Sequence, residues 1–318
     1  MRDRETTAGR AMPDRHLEWP GLAAPALAVA RFLRQKPLGA VGGLIVLALV
    51  LMALLAPVIS PYDPRQIIRE ENQQVPVYAA PGSAYLLGTD HVGRDIFSRI
   101  IHGARISLYV GGGAVMIGVT GWFVVGMVSA YAGGAVDLIV QRVVDAMMAV
   151  PGLIIVLAIM AVLGSSLNNV IIAIVIGMLA PVVRTVRSQV LSVKEMEYIV
   201  AARAIGAPSA RIIARHLMPN CLAIYLILAT YYLGFAIILE ASLSFLGVGV
   251  PPDVPSWGGM LTAAAQGHVT RAPWAGIFPG LAIFIAVLGF NLLGDALRDV
   301  LEPRLRGVSP TARLLSRG

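Results

Sequence analysis

The side chains able to do chemistry are few and scattered. Five histidines, His16, His91, His102, His216 and His268, include no pair at i, i+3 or i, i+4, so no helix face offers the paired imidazoles from which many metal sites start. Cys221 is the only cysteine, which excludes an internal disulfide and a cysteine-pair metal site. Lys36 and Lys194 are the only lysines, and neither follows a glycine. The G-x-x-x-x-G-K-[ST] loop, whose amides and lysine cradle the phosphates of ATP, is therefore missing. Met147, Met148, Met160, Met178 and Met260 read as adaptable packing. No catalytic, metal-binding or cofactor-binding residue is expected in this chain. What remains is Glu240, set in an apolar run with Ser242 and Ser244 close by, and the charged trio Asp137, Arg142 and Asp145. A charge in such surroundings is costly and usually faces protein or water. Two readings of Glu240 stand side by side. With Ser242 and Ser244 it lines a translocation path or gate and holds an incoming amino group, or it hydrogen-bonds a neighbouring helix, the Ser242 hydroxyl or lipid headgroups. Arg142 and Asp145, three residues apart, are expected to pair as helical neighbours.

The elements that position these residues are set by composition. Of 318 residues, 57% are hydrophobic and 14% charged, with mean hydropathy +0.76. Soluble domains average about 45–50% apolar and about 25% charged residues. Crossing the bilayer core takes about 20 consecutive, mostly apolar residues per helix. Six segments meet that need, over about 37–59, 106–131, 138–163 (interrupted by Pro151-Gly152), 170–186, 222–246 and 275–297. The fold class is all-α, a polytopic membrane protein with six transmembrane helices.

The net charge of +7 comes almost wholly from arginine. A basic balance can signal nucleic acid, but these arginines sit in segments between spans rather than on one soluble face, and no nucleic-acid partner is expected. With the N-terminus inside, all but six of the 25 lysines and arginines fall on the cytoplasmic side. The six are Arg65, Arg69, Arg94, Arg99, Arg105 and Arg271. By the positive-inside bias both termini are cytoplasmic. The expected organisation is an uncleaved cytoplasmic tail over 1–36 with a short interfacial helix at Leu22–Leu33, a first span over 37–59, and an extracytoplasmic loop over 60–104. A core of five spans over 105–306 and a cytoplasmic tail over 307–318 complete it. In the extracytoplasmic loop Asp95 caps a helix that carries Ile96, Phe97, Ile100 and Ile101 on one face and Ser98, His102 and Arg105 on another. Such a helix would lie on the outer leaflet.

The loop over 191–220 is the most informative stretch. Ser192 and Glu195 form an S-x-x-E capping box, expected to start a helix. Val193, Met196, Val200 and Ala204 would share its apolar face. Gly206 can take the left-handed conformation that ends it. Pro208 suits the start of a second short helix, with Pro219-Asn220 expected to close it. A capped helix with a small Ala201-Ala202 step suits docking into a groove on another protein.

Four stretches make this reading specific. Glu197-Tyr-Ile-Val-Ala-Ala-Arg-Ala-Ile-Gly206 followed by His216-Leu-Met-Pro-Asn220 resembles the EAA loop of binding-protein-dependent ATP-binding cassette (ABC) importer permeases. Leu86-Leu-Gly-Thr-Asp-His-Val-Gly-Arg-Asp95 continuing to Leu108, Glu240–Met260 with its Ser-Leu-Ser-Phe-Leu-Gly run, and Asn291–Asp299 resemble the C-type permease subunit of dipeptide, oligopeptide and nickel importers. The resemblance spans about residues 35–306.

It implies the type I (MetI-like) importer transmembrane fold in a prokaryotic inner membrane. It implies a heterodimer with a homologous B-type permease, two ATPase subunits that carry the ATP and magnesium, and an extracytoplasmic substrate-binding protein. Glu197, Ala201, Ala202 and Gly206 would form the coupling element that fits a cleft in the ATPase. Peptides are the expected cargo. The same architecture importing nickel chelates or another small solute is the alternative, and a self-sufficient secondary transporter is the reading from a different class.

Overall fold

Within a bilayer no water can hydrogen-bond a bare amide, so apolar stretches of this length satisfy their backbone internally as helices. The computed structural model describes residues 36–69, 75–266 and 272–301. Among them regular structure is helical, with one isolated antiparallel bridge between Thr89 and Asp95. Of the two units into which the chain divides, the second, Leu38–Gly318, holds nearly all of the described residues. The expected helix at Leu22–Leu33 and the tail over 307–318 lie outside the described residues.

Helix α1 (Pro37–Leu54) is followed after one residue by α2 (Ala56–Ile59). The break falls where Pro57, lacking an N–H, would collide with the preceding turn of a continuous helix. Asp95 caps α3 (Ile96–Gly113), its Oδ2 accepting from the Ser98 amide at 2.7 Å and the Ser98 hydroxyl at 2.6 Å. Instead of stopping near residue 105, this helix runs on through a π-helical turn at Ala114–Val119 into α4 (Thr120–Ala132), 37 residues in all. In that turn the Thr120 amide and hydroxyl both point to the Val115 carbonyl, and the hydroxyl also meets Tyr225 Oη at 3.0 Å. The expected surface helix is thus the first stretch of a longer one. Ser98 and Arg99 face inward beside Ile96 and Ile101, and Arg105 faces out.

Helices α5 (Gly134–Met148) and α6 (Gly152–Leu163) meet at 90° around Pro151. That is a far sharper departure than an interrupted rod. Helix α7 (Leu167–Gly177), capped by Ser166, meets α8 (Leu179–Lys194) at 43°, close to Pro181. Then follow α9 (Glu197–Ala204), α10 (Ser209–Ile212), a second π-helical turn at Ile213–Leu217 and α11 (Met218–Phe245). A short helix not anticipated from the sequence, α12 (Trp257–Gln266), precedes α13 (Trp274–Leu301). Among the described residues four helices are long and apolar enough to cross a membrane, and six spans result if each bent pair counts as one.

Two apolar clusters hold these rods together. The first joins α3–α4 to α7, α8 and α11 through residues such as Val119, Phe123, Ile174, Val186 and Leu243. The second gathers α1, the start of α3, α12 and α13 around Trp257, whose Nε1 donates to the Ile100 carbonyl at 3.0 Å. Helices α1 and α13 touch backbone to backbone. A Cβ on Gly42 would lie 2.6 Å from the Leu293 nitrogen, the close approach that small residues allow between membrane helices. Many large aliphatics, among them Leu38, Leu44, Leu54, Val58 and Val162, point outward, as lipid-facing surface requires.

The two carboxylates of the charged trio on α5 find their main partners on α8. Arg187 grips Asp137 bidentately, Nη2 to Oδ2 at 2.6 Å and Nε to Oδ1 at 2.9 Å, and Arg184 pairs with Asp145. The expected Arg142–Asp145 pair is present at 3.9 Å, on a more exposed face. Because Asp137 and Arg187 are in contact and partly shielded, reversing either charge should lower the melting midpoint of the purified protein. Swapping both should recover part of the loss, with a coupling of about 1–2 kcal/mol. Additive single and double effects in that cycle would show the pair to be passive.

Candidate functional site

The segment over 191–220 folds as an elbow at the end of α4 and α8. The capping box expected at Ser192–Glu195 does not form. Val186, Val190 and Val193 are buried on one stripe, and this stripe carries α8 through Ser192 to Lys194. The break comes at Glu195–Met196, and α9 starts at Glu197 with no side-chain cap. Its apolar face is also different from the expected one. Ile199 and Ala202 turn inward with Ile212, against Tyr131 and Ala207, while Met196, Val200 and Ala204 face out. Val193 is buried, on α8.

Gly206 ends α9 as expected, with φ +78°. The Ala207 amide donates to the Ala202 carbonyl at 3.0 Å and the Gly206 amide to the Arg203 carbonyl at 2.9 Å. These are the two bonds of a Schellman motif, and Ala207 supplies its usual apolar contact back onto the helix. A Cβ on Gly206 would meet nothing within 4 Å. Glycine is needed there for its backbone conformation alone.

Further contacts pin the elbow. Arg203 lies over the Tyr131 ring at 5.3 Å, Lys194 Nζ donates to the Ala130 carbonyl at 3.3 Å, and the Tyr198 and His216 rings are 6.3 Å apart. Pro219 does not close the second short helix. It falls in the first turn of α11, just after the π-helical turn at Ile213–Leu217, so that Ser209–Phe245 is one helix of 37 residues. The widened turn removes the need for the amide that proline lacks.

Of the four residues singled out in the elbow, Glu197, Ala201 and Gly206 are exposed and Ala202 is buried. Around Glu197 and Ala201 lie Tyr198, Val200 (51% exposed) and Ile205 (85% exposed). This is an apolar patch with one carboxylate, on a helix that the Schellman motif closes and the Arg203–Tyr131 contact anchors.

Glu240 sits toward the other end of the same helix, about 45 Å from Ser209 at the usual rise per residue. It is 1% exposed. The Ser244 hydroxyl donates to its Oε1 at 2.9 Å, and Oε2 has no hydrogen-bond partner although Ser256 is nearby. Ser244 Oγ also accepts from the Val250 amide at 3.3 Å. Ser242 is not part of this group, since its hydroxyl donates to the Ile238 carbonyl at 2.7 Å on a different face. The structure brings Glu240 and Ser244 together and leaves Ser242 apart. Sequence reasoning missed Ser256, which opens α12 by accepting from the Gly259 amide at 3.1 Å. A serine between Pro255 and Trp257-Gly258 was the available signal for that cap.

Gly206 yields the sharpest local test. Gly206→Val forces a β-branched residue to positive φ, at a cost of about 1–2 kcal/mol. Gly206→Asn, a residue that tolerates this region, should largely preserve the elbow. Amide exchange of residues 197–204 should rise about 5- to 30-fold in the valine variant only, and equal exchange in both variants would remove the conformational argument.

Residues 123–307 match the family of binding-protein-dependent transport system inner membrane components. Residues 26–81 match the N-terminal transmembrane domain of oligopeptide transport permease C. The chain is 41% identical over 276 residues to the glutathione transport system permease protein GsiD of Pectobacterium atrosepticum, covering 87% of this chain and 90% of the relative. It is 40% identical over 273 residues to the di/tripeptide transport system permease protein DppC of Pseudomonas aeruginosa, covering 85% and 90%. The dipeptide transport system permease protein DppC of Alkalihalophilus pseudofirmus is 40% identical over 278 residues, covering 86% and 88%.

Proposed function

This chain belongs to the family of binding-protein-dependent transport system inner membrane components, and from that premise we propose that it forms half of the translocation path of an ATP-driven peptide importer. Its helical, multi-pass architecture is the type I importer permease fold, and its place is an inner membrane. The relatives' names, which refer to glutathione, di/tripeptides and dipeptides, support a short peptide as the solute.

One observation carries the division of labour: an exposed apolar patch around Glu197 and Ala201 on a Schellman-capped helix, joined by a four-residue turn over 205–208 to a membrane-crossing helix. An apolar helix face of this kind stays in water at a cost unless a groove covers it. The groove belongs to a separate ATPase, which binds ATP and magnesium. This chain binds neither and performs no hydrolysis. Two such ATPases, a homologous second permease and an extracytoplasmic binding protein complete the machine. Both termini and the elbow lie on the cytoplasmic side, in keeping with the arginine bias, and the end carrying Glu240 and α12 faces out.

In operation, closure of the ATPases displaces the elbow. Its second arm is the start of the Ser209–Phe245 helix, joined to the patch-bearing helix by the short turn over 205–208, so the displacement passes through that turn and along one rod into the membrane. Glu240 and Ser244 then lie where the path opens outward and take part in holding or gating the solute.

Neighbouring alanines separate docking from folding. Ala201→Trp, on the exposed face, should leave the permease folded and abolish co-purification of the ATPase, with peptide uptake falling at least tenfold. Ala202→Trp, in the buried cluster, should unfold the elbow itself. Retention of ATPase and full uptake in Ala201→Trp would refute the coupling assignment. For the outward end, Glu240→Gln keeps an acceptor for the Ser244 hydroxyl while removing the charge. Uptake reduced severalfold at normal assembly is expected, and unchanged uptake would leave Glu240 a packing residue.

A further inference from the structure

At the end of the spans opposite Gly206, a cavity of ≈ 650 Å³ opens between the start of α3, α12 and the segment after α11. It lies within the size range of small-molecule sites, about 300–1,000 Å³. Ile96, Val250, Met260 and Ala264 make its walls apolar, and the exposed His91 and Asp253 stand among its lining residues. Its cationic part is Arg94 and Arg99.

Arg99 is only 4% exposed. Its Nη1 donates to the Pro64 carbonyl at 3.0 Å, and the nearest carboxylate oxygen, Asp90 Oδ2, stands 4.0 Å from Nε. Asp90 cannot close that gap freely, because its Oδ1 accepts from the Val92 and Arg94 amides at 2.9 Å each. The Nε–H of Arg99 therefore lacks an acceptor, and so does the Nε–H of Arg94. A buried charged donor without an acceptor is costly. Two of them in one cavity is the arrangement of a site that awaits an anion.

The charge balance narrows the anion's type. Asp90 and Asp253 line the same cavity, Asp253 already engaged by Arg65 at 4.0 Å. With Arg65 offsetting Asp253, the guanidinium groups of Arg94 and Arg99 face the single carboxylate of Asp90, and the surplus of one positive charge suits a monoanion better than a dianion. The planar guanidinium fork matches a carboxylate. We propose that this cavity is a subsite for the carboxylate of the transported solute, with Arg94 and Arg99 as its ligating groups and the apolar walls receiving the adjoining side chain. The proposal rests on the reading of the chain as a peptide importer subunit.

The test uses the assembled permease–ATPase complex in lipid nanodiscs, without the binding protein, titrated with dialanine labelled with ¹³C at its carboxyl. Saturable binding with a shifted carboxyl resonance is expected. Dialanine amide should bind at least tenfold more weakly. Arg94→Gln, at the less buried position, should weaken dialanine about tenfold at unchanged assembly. Arg99→Lys keeps the charge but loses the fork, and should weaken it as well. Absence of saturable binding, equal affinity for the amide, or both variants within twofold of wild type would overturn the subsite. Dialanine binding seen only after the binding protein docks, and insensitive to both variants, would place the solute on that partner, leave the arginines without a part in holding it, and overturn the subsite too. A parallel uptake assay with the binding protein separates the two levels. Peptide uptake that persists when the titration fails removes the subsite alone, whereas no uptake of any di- or tripeptide by wild type removes the peptide reading and the subsite together.

Discussion

The continuity of one helix, Ser209 to Phe245, is the constraint on which the arrangement turns. Its first residues belong to the elbow, its middle crosses the apolar core, and its last turns hold Glu240 and Ser244. A helix is stiff along its axis because every turn is closed by backbone hydrogen bonds. Proline at 219 threatens that stiffness, and the π-helical turn at Ile213–Leu217 resolves the threat by changing the bonding pattern just before the ring. The cost of the widened turn is local, and the gain is a rod instead of two segments joined by a flexible loop. The second 37-residue helix, Ile96 to Ala132, has the same design. It too contains a π-helical turn, ends beside the elbow at Tyr131, and starts beside the cavity at Arg99. Two long rods therefore connect the same two places.

Much of this was legible from residue types because the signals were local. The apolar runs located the membrane helices, Asp95 announced a cap, Gly206 announced a left-handed stop and Pro151 a break. Each depends on one residue and its immediate neighbours. Signals that failed depended on what lay across the structure. The Ser192–Glu195 box is a sound start signal, yet the buried Val186–Val190–Val193 stripe on α8 outweighs it and extends the earlier helix. Asp137 could be paired only by knowing that Arg187, fifty residues on, faces it. Helix α12 is ten residues long, shorter than a membrane span, and its glycines argue against helix by propensity. Its stability comes from burying Trp257 and Met260 against α13 and the start of α3.

The two alanines at 201 and 202 show the same limit in miniature. Both are small, and both suit close packing, so composition cannot say which way either points. The direction is set by Ile199 and Ile212, which are fully or almost fully buried and leave room only for a methyl group beside them. Ala202 fills that room, and helical geometry then turns Ala201 and Val200 outward. One residue of the pair serves the elbow's own fold, and its neighbour is left on the surface.

The two ends of the rods differ in chemistry, and the difference matches the roles proposed for them. The elbow sets exposed apolar side chains among exposed charges and is closed on itself by a Schellman motif and a cation–π contact. At the opposite end a concave space contains guanidinium and carboxyl groups whose hydrogen bonds are incomplete. A surface whose backbone groups are already paired suits permanent or repeated contact with another protein, since none of those bonds needs to be replaced on binding. A concave surface with unmet donors suits a solute that arrives and leaves, because its polar groups gain partners only while the solute is present. Incomplete satisfaction is tolerable there because the surrounding helices are fixed elsewhere, by Trp257 on Ile100 and by the glycine contact of α1 with α13. The rigid parts of the molecule thus maintain a small region in a state that would not survive on its own.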